Sequence, residues 1–208
     1  MKRLVRTLTV LGLLLTAMAP SLLGEVQTPP CRAALLVIDV QKAWVGGYAL
    51  TIDQVPVQDK IAGIAESARL AGMPVVFVVD VGHRDQFTDE ELELVEPLAV
   101  LDGDLLVEKN YQNGFIGTSL KDDLRELGIT TLLITGYASH ECVAKTVGGA
   151  RVMGFKAIII ADAHSGGLGG SRARQQNEYW EGIGLQVIQS TELDFAAFCT
   201  TPAAEDGT

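Results

Sequence analysis

From residue 33 onward, short apolar runs alternate with stretches whose apolar positions recur every three or four residues. The runs AALLVID (33–39), MPVVFVVD (73–80), DLLVEK (104–109), TTLLITG (130–136), KAIIIAD (156–162) and LQVIQS (185–190) predict six strands, the most continuous of them buried on both faces. Between them, VQDKIAGIAESARLAG (57–72), TDEELELVEPL (88–98), TSLKDDLRELG (118–128), the stretch from about Ser139 to Met153, SRARQQNEYWEGIG (171–184) and a closing TELDFAAFC predict helices. Thr88 and Glu91 make a capping-box pair, and Gly72 and Gly128 end their helices. Strand, helix, strand, repeated in this way, predicts βαβ units. The fold is therefore α/β: a three-layer α-β-α sandwich around a six-stranded, mostly parallel sheet. Ligands of such sheets bind beyond the carboxyl ends of the strands. That rule places Asp39, Asp80, Lys109, Gly136 and Asp162 on one rim.

Composition changes the picture in two ways. With 48% hydrophobic residues among 208, the chain can bury the core of one large domain, here residues 31–200. A net charge of −10 argues against nucleic acid and against an anionic membrane surface, both of which attract Lys and Arg. The ends read differently. MKRLVR is a basic segment and LTVLGLLLTAMA an apolar one of signal-peptide length, so residues 1–24 are expected to be removed on export to the periplasm or medium. Cleavage would follow Ala17-x-Ala19 or Gly24; an uncleaved segment would instead be a membrane anchor. Residues 201–208 are expected to form a disordered tail.

Export admits disulfides. Cys31 precedes the first strand and Cys199 follows the last helix, so the pair either staples the chain ends or remains as two thiols. Either way Cys142 is left over. It falls at the start of a helix, where free N–H groups and the helix dipole favour a thiolate. A buried free cysteine is also a common small hydrophobe, and position alone does not separate the two. Asp39 ends an apolar strand, where desolvation raises a carboxylate toward the range of a useful base, unless it only caps a loop. Lys109 ends another strand; beside Asp39 and Cys142 it would hold both anions.

Three blocks, LLVIDVQKAW, VEKNYQNGFIGTSLKDDLRELGITTLLITGYASHECVAKTV and GFKAIIIADAHS, resemble the isochorismatase-like cysteine hydrolases in order over residues 33–190. The resemblance implies a catalytic Asp39, Lys109 and Cys142, and a cis peptide between Tyr137 and Ala138. That turn would aim the N–H groups of Ala138 and Cys142 at one point as an oxyanion hole. The reaction implied is cleavage of a non-peptide C–N bond in a small amide or ureido compound through a Cys thioester. The alternatives are an isochorismatase-type ether hydrolase, which the retained cysteine disfavours, or a silent binding protein on the same fold. A homo-oligomer is also implied.

Metal-dependent members carry Asp-x-His and a further His. This chain has Asp80 and His83 at another spacing, with His140 and His164 in other loops, so no cofactor and no catalytic metal are expected. DAHSGGLGGSR (162–172) lacks the Lys and Ser/Thr of a phosphate loop and is expected to form a mobile lid. Trp44, Tyr111, Phe115, Tyr137 and His164 are candidates for the substrate pocket; for the aromatic residues after Asp39 and Lys109, core packing is an equal alternative.

Overall fold

The computed structural model describes residues 31–46 and 49–199. The expected signal segment and C-terminal tail lie outside these residues. Six parallel strands form one sheet: β1 (Ala33–Ile38), β2 (Val75–Asp80), β3 (Leu105–Lys109), β4 (Thr131–Tyr137), β5 (Lys156–Ser165) and β6 (Gln186–Ile188), in the order β3-β2-β1-β4-β5-β6. Strand order reverses between β1 and β4, which opens a crevice at their carboxyl ends.

Alternation along each strand divides the core into two layers. Leu35, Val37, Val75, Phe77, Leu133 and Ile158 face one side, where α2 (Val57–Leu70), which follows the one-turn α1 (Lys42–Val45), presents Val57, Ile61, Ile64, Ala65 and Ala68. Leu36, Ile38, Val76, Val78, Leu132 and Ile134 face the other. There they meet α3 (Leu120–Glu126), α4 (Ala144–Val152) and α5 (Ser171–Gly182) through Leu120, Leu124, Val147, Ala150 and Trp180. Each fully buried aliphatic side chain contributes about 1.5–3 kcal/mol. The central strands read as continuous apolar runs because both faces are covered.

Two segments differ from the sequence reading. Thr88 and Glu91 do form their reciprocal bonds, Thr88 N–H to Glu91 Oε2 at 2.8 Å and Glu91 N–H to Thr88 Oγ1 at 3.3 Å, yet residues 88–98 make turns rather than a helix. The carbonyls of Glu91, Leu92 and Glu93 instead accept from Ala43 N–H, Gln41 Nε2 and Lys42 N–H. Tertiary partners take the acceptors a helix would need. In the 162–172 stretch, Asp162–Ser165 extend β5 instead of starting a loop; Ser165 Oγ–H donates to Leu50 O (2.7 Å) and Gln54 Nε2–H to Gly169 O (2.6 Å).

Cys31 and Cys199 are disulfide-bonded and join α6 (Phe195–Cys199) to the start of β1. For a sequence separation of 168, the chain-entropy account gives about 5 kcal/mol of stabilisation.

Candidate active site

Four strand ends deliver the site. Asp39 follows β1 with φ 50°, a left-handed conformation that Asp tolerates better than most residues. Its N–H still bonds Val78 O at 2.9 Å. Asp80 closes β2 and Lys109 closes β3, paired in register. Past β4 the chain makes one wide turn of π type, Ser139–Val143, broken at Glu141 (φ −119°, ψ −105°), before α4 begins. Cys142 lies on that turn. Gly136 makes the approach possible: a Cβ there would collide with the Ile38 carbonyl oxygen. The Tyr137–Ala138 peptide is cis.

Lys109 is fully buried at the centre. Its Nζ lies 2.8 Å from Asp39 Oδ2, 3.3 Å from Asp80 Oδ2 and 3.7 Å from Cys142 Sγ. Burial pushes the Asp39 carboxyl up to about 6, although Lys109 pulls the other way. Burial and the neighbouring Asp39 charge push the Cys142 thiol up to about 12. Burial opposes the charged form of Lys109, but the Asp39 charge, with lesser help from Cys142 and Asp80, outweighs it and raises the ammonium's pKa. Desolvation and the Asp39 charge thus work against the thiolate that the start of a helix favours.

Above the cluster lies a cavity of about 190 Å³ lined by Trp44, His83, Gln112, Tyr137 and Glu141, with Ala138 and Cys142 at its base. Trp44 packs edge-on against both His83 and Phe87. Among the pocket candidates, Trp44 and Tyr137 line this cavity. Tyr111 is 59% exposed, and Phe115 is buried and stacked on Phe155, the core alternative. His164 is fully buried beneath the turn. Asp162 also leaves the predicted rim. It lies inside β5, bonds Lys60 at 2.7 Å and accepts from Ser190. Burial would raise its pKa, but Lys60 and Ser190 outweigh that and lower it.

The donor atoms of Asp39, Asp80 and Cys142 lie within 4.8 Å of one another. The Lys109 ammonium, bonded to both carboxylates, already supplies the positive charge such a set demands. Asp80 is further engaged: its Oδ1 accepts from Gly82 N–H at 2.8 Å and lies 3.2 Å from His83 Nδ1.

Sequence reasoning missed Gln41. Its amide accepts Asp80 N–H at 2.8 Å and donates to Asp80 O (3.0 Å) and Leu92 O (2.7 Å), clamping the ends of β1 and β2. The only signal was its place two residues after Asp39.

The Isochorismatase domain model matches residues 33–190, most of the chain. The chain belongs to the isochorismatase family. It is similar to the family protein YrdC of Bacillus subtilis, 28% identical over 82% of this chain and 92% of YrdC. The streptothricin hydrolase of Streptomyces noursei is 34% identical over 64% of this chain, which spans about half (54%) of that relative. The ureidoacrylate amidohydrolase RutB of Stutzerimonas stutzeri is 29% identical over 64% of this chain and 69% of RutB. Among solved structures, N-carbamoylsarcosine amidase from Thermoplasma acidophilum superposes with a TM-score of 0.66 at 25% identity, covering 78% of this chain and 99% of that one. Like these isochorismatase-family relatives, the protein is a hydrolase, with a six-stranded α/β architecture.

Proposed function

We propose that the protein is an exported cysteine hydrolase that cleaves a non-peptide C–N bond in a small amide or ureido compound. The observation that carries the reading is the contact of one buried ammonium with Asp39 and with Cys142 Sγ at the floor of a small cavity. Relatives named for ureidoacrylate and N-carbamoylsarcosine support the amide-type substrate.

In the proposed reaction, Asp39 takes the thiol proton as Cys142 Sγ attacks the carbonyl carbon. The negative charge collects on the carbonyl oxygen and is received by the N–H groups of Ala138 and Cys142. Collapse expels the amine, which leaves with the proton from Asp39. Asp39 then takes a proton from water, the hydroxide attacks the thioester, and the thiol departs reprotonated. Lys109 holds Asp39 in place and balances the charge as the proton moves. The test is ammonia release from a panel of small amides and carbamoyl compounds, compared between wild type and Cys142→Ala.

Because Asp39 must be ionised to act, kcat/KM is expected to fall as pH drops through about 6, tenfold for each further unit. A carboxylate of ordinary pKa would keep activity to about pH 4, so a profile flat to pH 4.5 would overturn the raised pKa of Asp39.

Export is supported by the N-terminal basic and apolar segments together with the Cys31–Cys199 disulfide. Protein recovered from outside the cytoplasmic membrane is expected to show one titratable thiol when denatured without reductant, and three after reduction. A cytoplasmic protein with three free thiols would overturn this part.

A further inference from the structure

Beside the reactive turn lies a buried polar group that the proposed chemistry does not use. His164 Nδ1 is 2.8 Å from Ser139 Oγ, and its Nε2 is 2.8 Å from Asn177 Oδ1. Asn177 also donates Nδ2–H to the Ala161 carbonyl at 3.0 Å, which only its amide nitrogen can do, so its oxygen faces the ring. Nε2 therefore carries the imidazole proton, and bare Nδ1 accepts the Ser139 hydroxyl. Burial holds the ring's pKa down to about 4, so this tautomer persists at neutral pH. Trp180 packs edge-on against the ring at 5.3 Å and fixes its plane.

Ser139 is fully buried and stands between Ala138 and Cys142. The turn has no side-chain cap, and its Glu141 is non-helical. The Ser139 hydroxyl thus tethers the turn, through His164 and Asn177, to β5 and α5.

We propose that His164 is a positioning residue: through Ser139 it fixes the turn whose Ala138 and Cys142 N–H groups receive the oxyanion. This rests on the hydrolase reading above. Oxyanion donors act only at close range to the developing charge, so a turn that shifts loses rate while keeping its nucleophile.

Two probes of Cys142 separate these effects. p-Nitrophenyl acetate acylates the sulfur through a tetrahedral oxyanion: the S–C bond forms, the ester C–O bond breaks, p-nitrophenolate leaves and Asp39 holds the thiol proton. Iodoacetamide alkylates the same sulfur by displacing iodide and forms no oxyanion. Ser139→Ala is expected to slow acylation about tenfold to a hundredfold while alkylation changes by less than about threefold. His164→Phe should match it. His164→Asn, which keeps an acceptor near the place of Nδ1, should stay close to wild type. The Ser139→Ala/His164→Phe double variant should fall no further than either single, because both break one link. Unchanged acylation in Ser139→Ala, or equal loss of both reactions, overturns the inference. If Ser139→Ala does not fold, Asn177→Leu releases the tautomer instead and should cost acylation about threefold to tenfold; no loss overturns the inference. A wild-type protein with no Cys142-dependent nitrophenolate release fails at an earlier step, and the hydrolase reading falls with it.

Discussion

Cys142→Ala is expected to reduce ammonia release to background, a loss on the order of a millionfold, as when a nucleophile is removed from an enzyme whose groups act as one unit. Under the proposed reaction, the other charged groups described at the floor of the cavity are engaged with one another. Asp39 is locked to Lys109 at 2.8 Å, and Lys109 is raised in pKa and held protonated by the carboxylates around it. The fold should tolerate the change. Cys142 is only partly buried, and a methyl group replaces a thiol, so stability should move by less than about 1 kcal/mol. Residual turnover above about 1% in Cys142→Ala, with the melting temperature unchanged, would sink the thioester mechanism and favour water activated directly by Asp39.

Lys109→Met should damage both stability and activity. It leaves two buried carboxylates, Asp39 and Asp80, facing each other without their shared cation. Breaking a buried ion pair from one side costs about 3–5 kcal/mol, which in a domain of this size lowers the melting temperature by about 6–20 °C. The deficit has a definite sign with pH. Burial already raises Asp39 above its ordinary value, and removing the ammonium raises it further. The folded variant then binds more protons than the unfolded chain, so its stability falls as pH rises. Melting should therefore be nearer to wild type at pH 5 than at pH 8. Adding Asp39→Asn should recover part of the stability at pH 8 and none of the activity. A Lys109→Met protein as stable as wild type at pH 8 would mean the carboxylates find solvent or another partner.

The sheet was legible because its signals are local. Leu35 to Ile38, Val75 to Val79 and Ile158 to Ile160 are runs that only strands covered on both faces explain. Asp39, Lys109 and Cys142 were legible as strand-end or turn residues, and the three come together in the fold. Asp162 was not, because β5 continues past it to Ser165 and carries the residue away from the rim. The 88–98 segment failed for a related reason: its capping box formed, but Gln41, Lys42 and Ala43 claimed the carbonyls behind it.

By itself, the sequence determined the α/β order of elements, the two-faced core and the residues that are candidates for the chemistry, since hydrophobic periodicity and residue chemistry are written along the chain. Only the tertiary structure decided their states. Burial and the Asp39 charge raise the Cys142 thiol, Asp39 is raised to about 6, Asp80 shares the ammonium and His164 bonds Ser139 of the turn rather than lining the cavity. Those properties depend on desolvation and on charges brought within about 4 Å, and no spacing along a sequence encodes them.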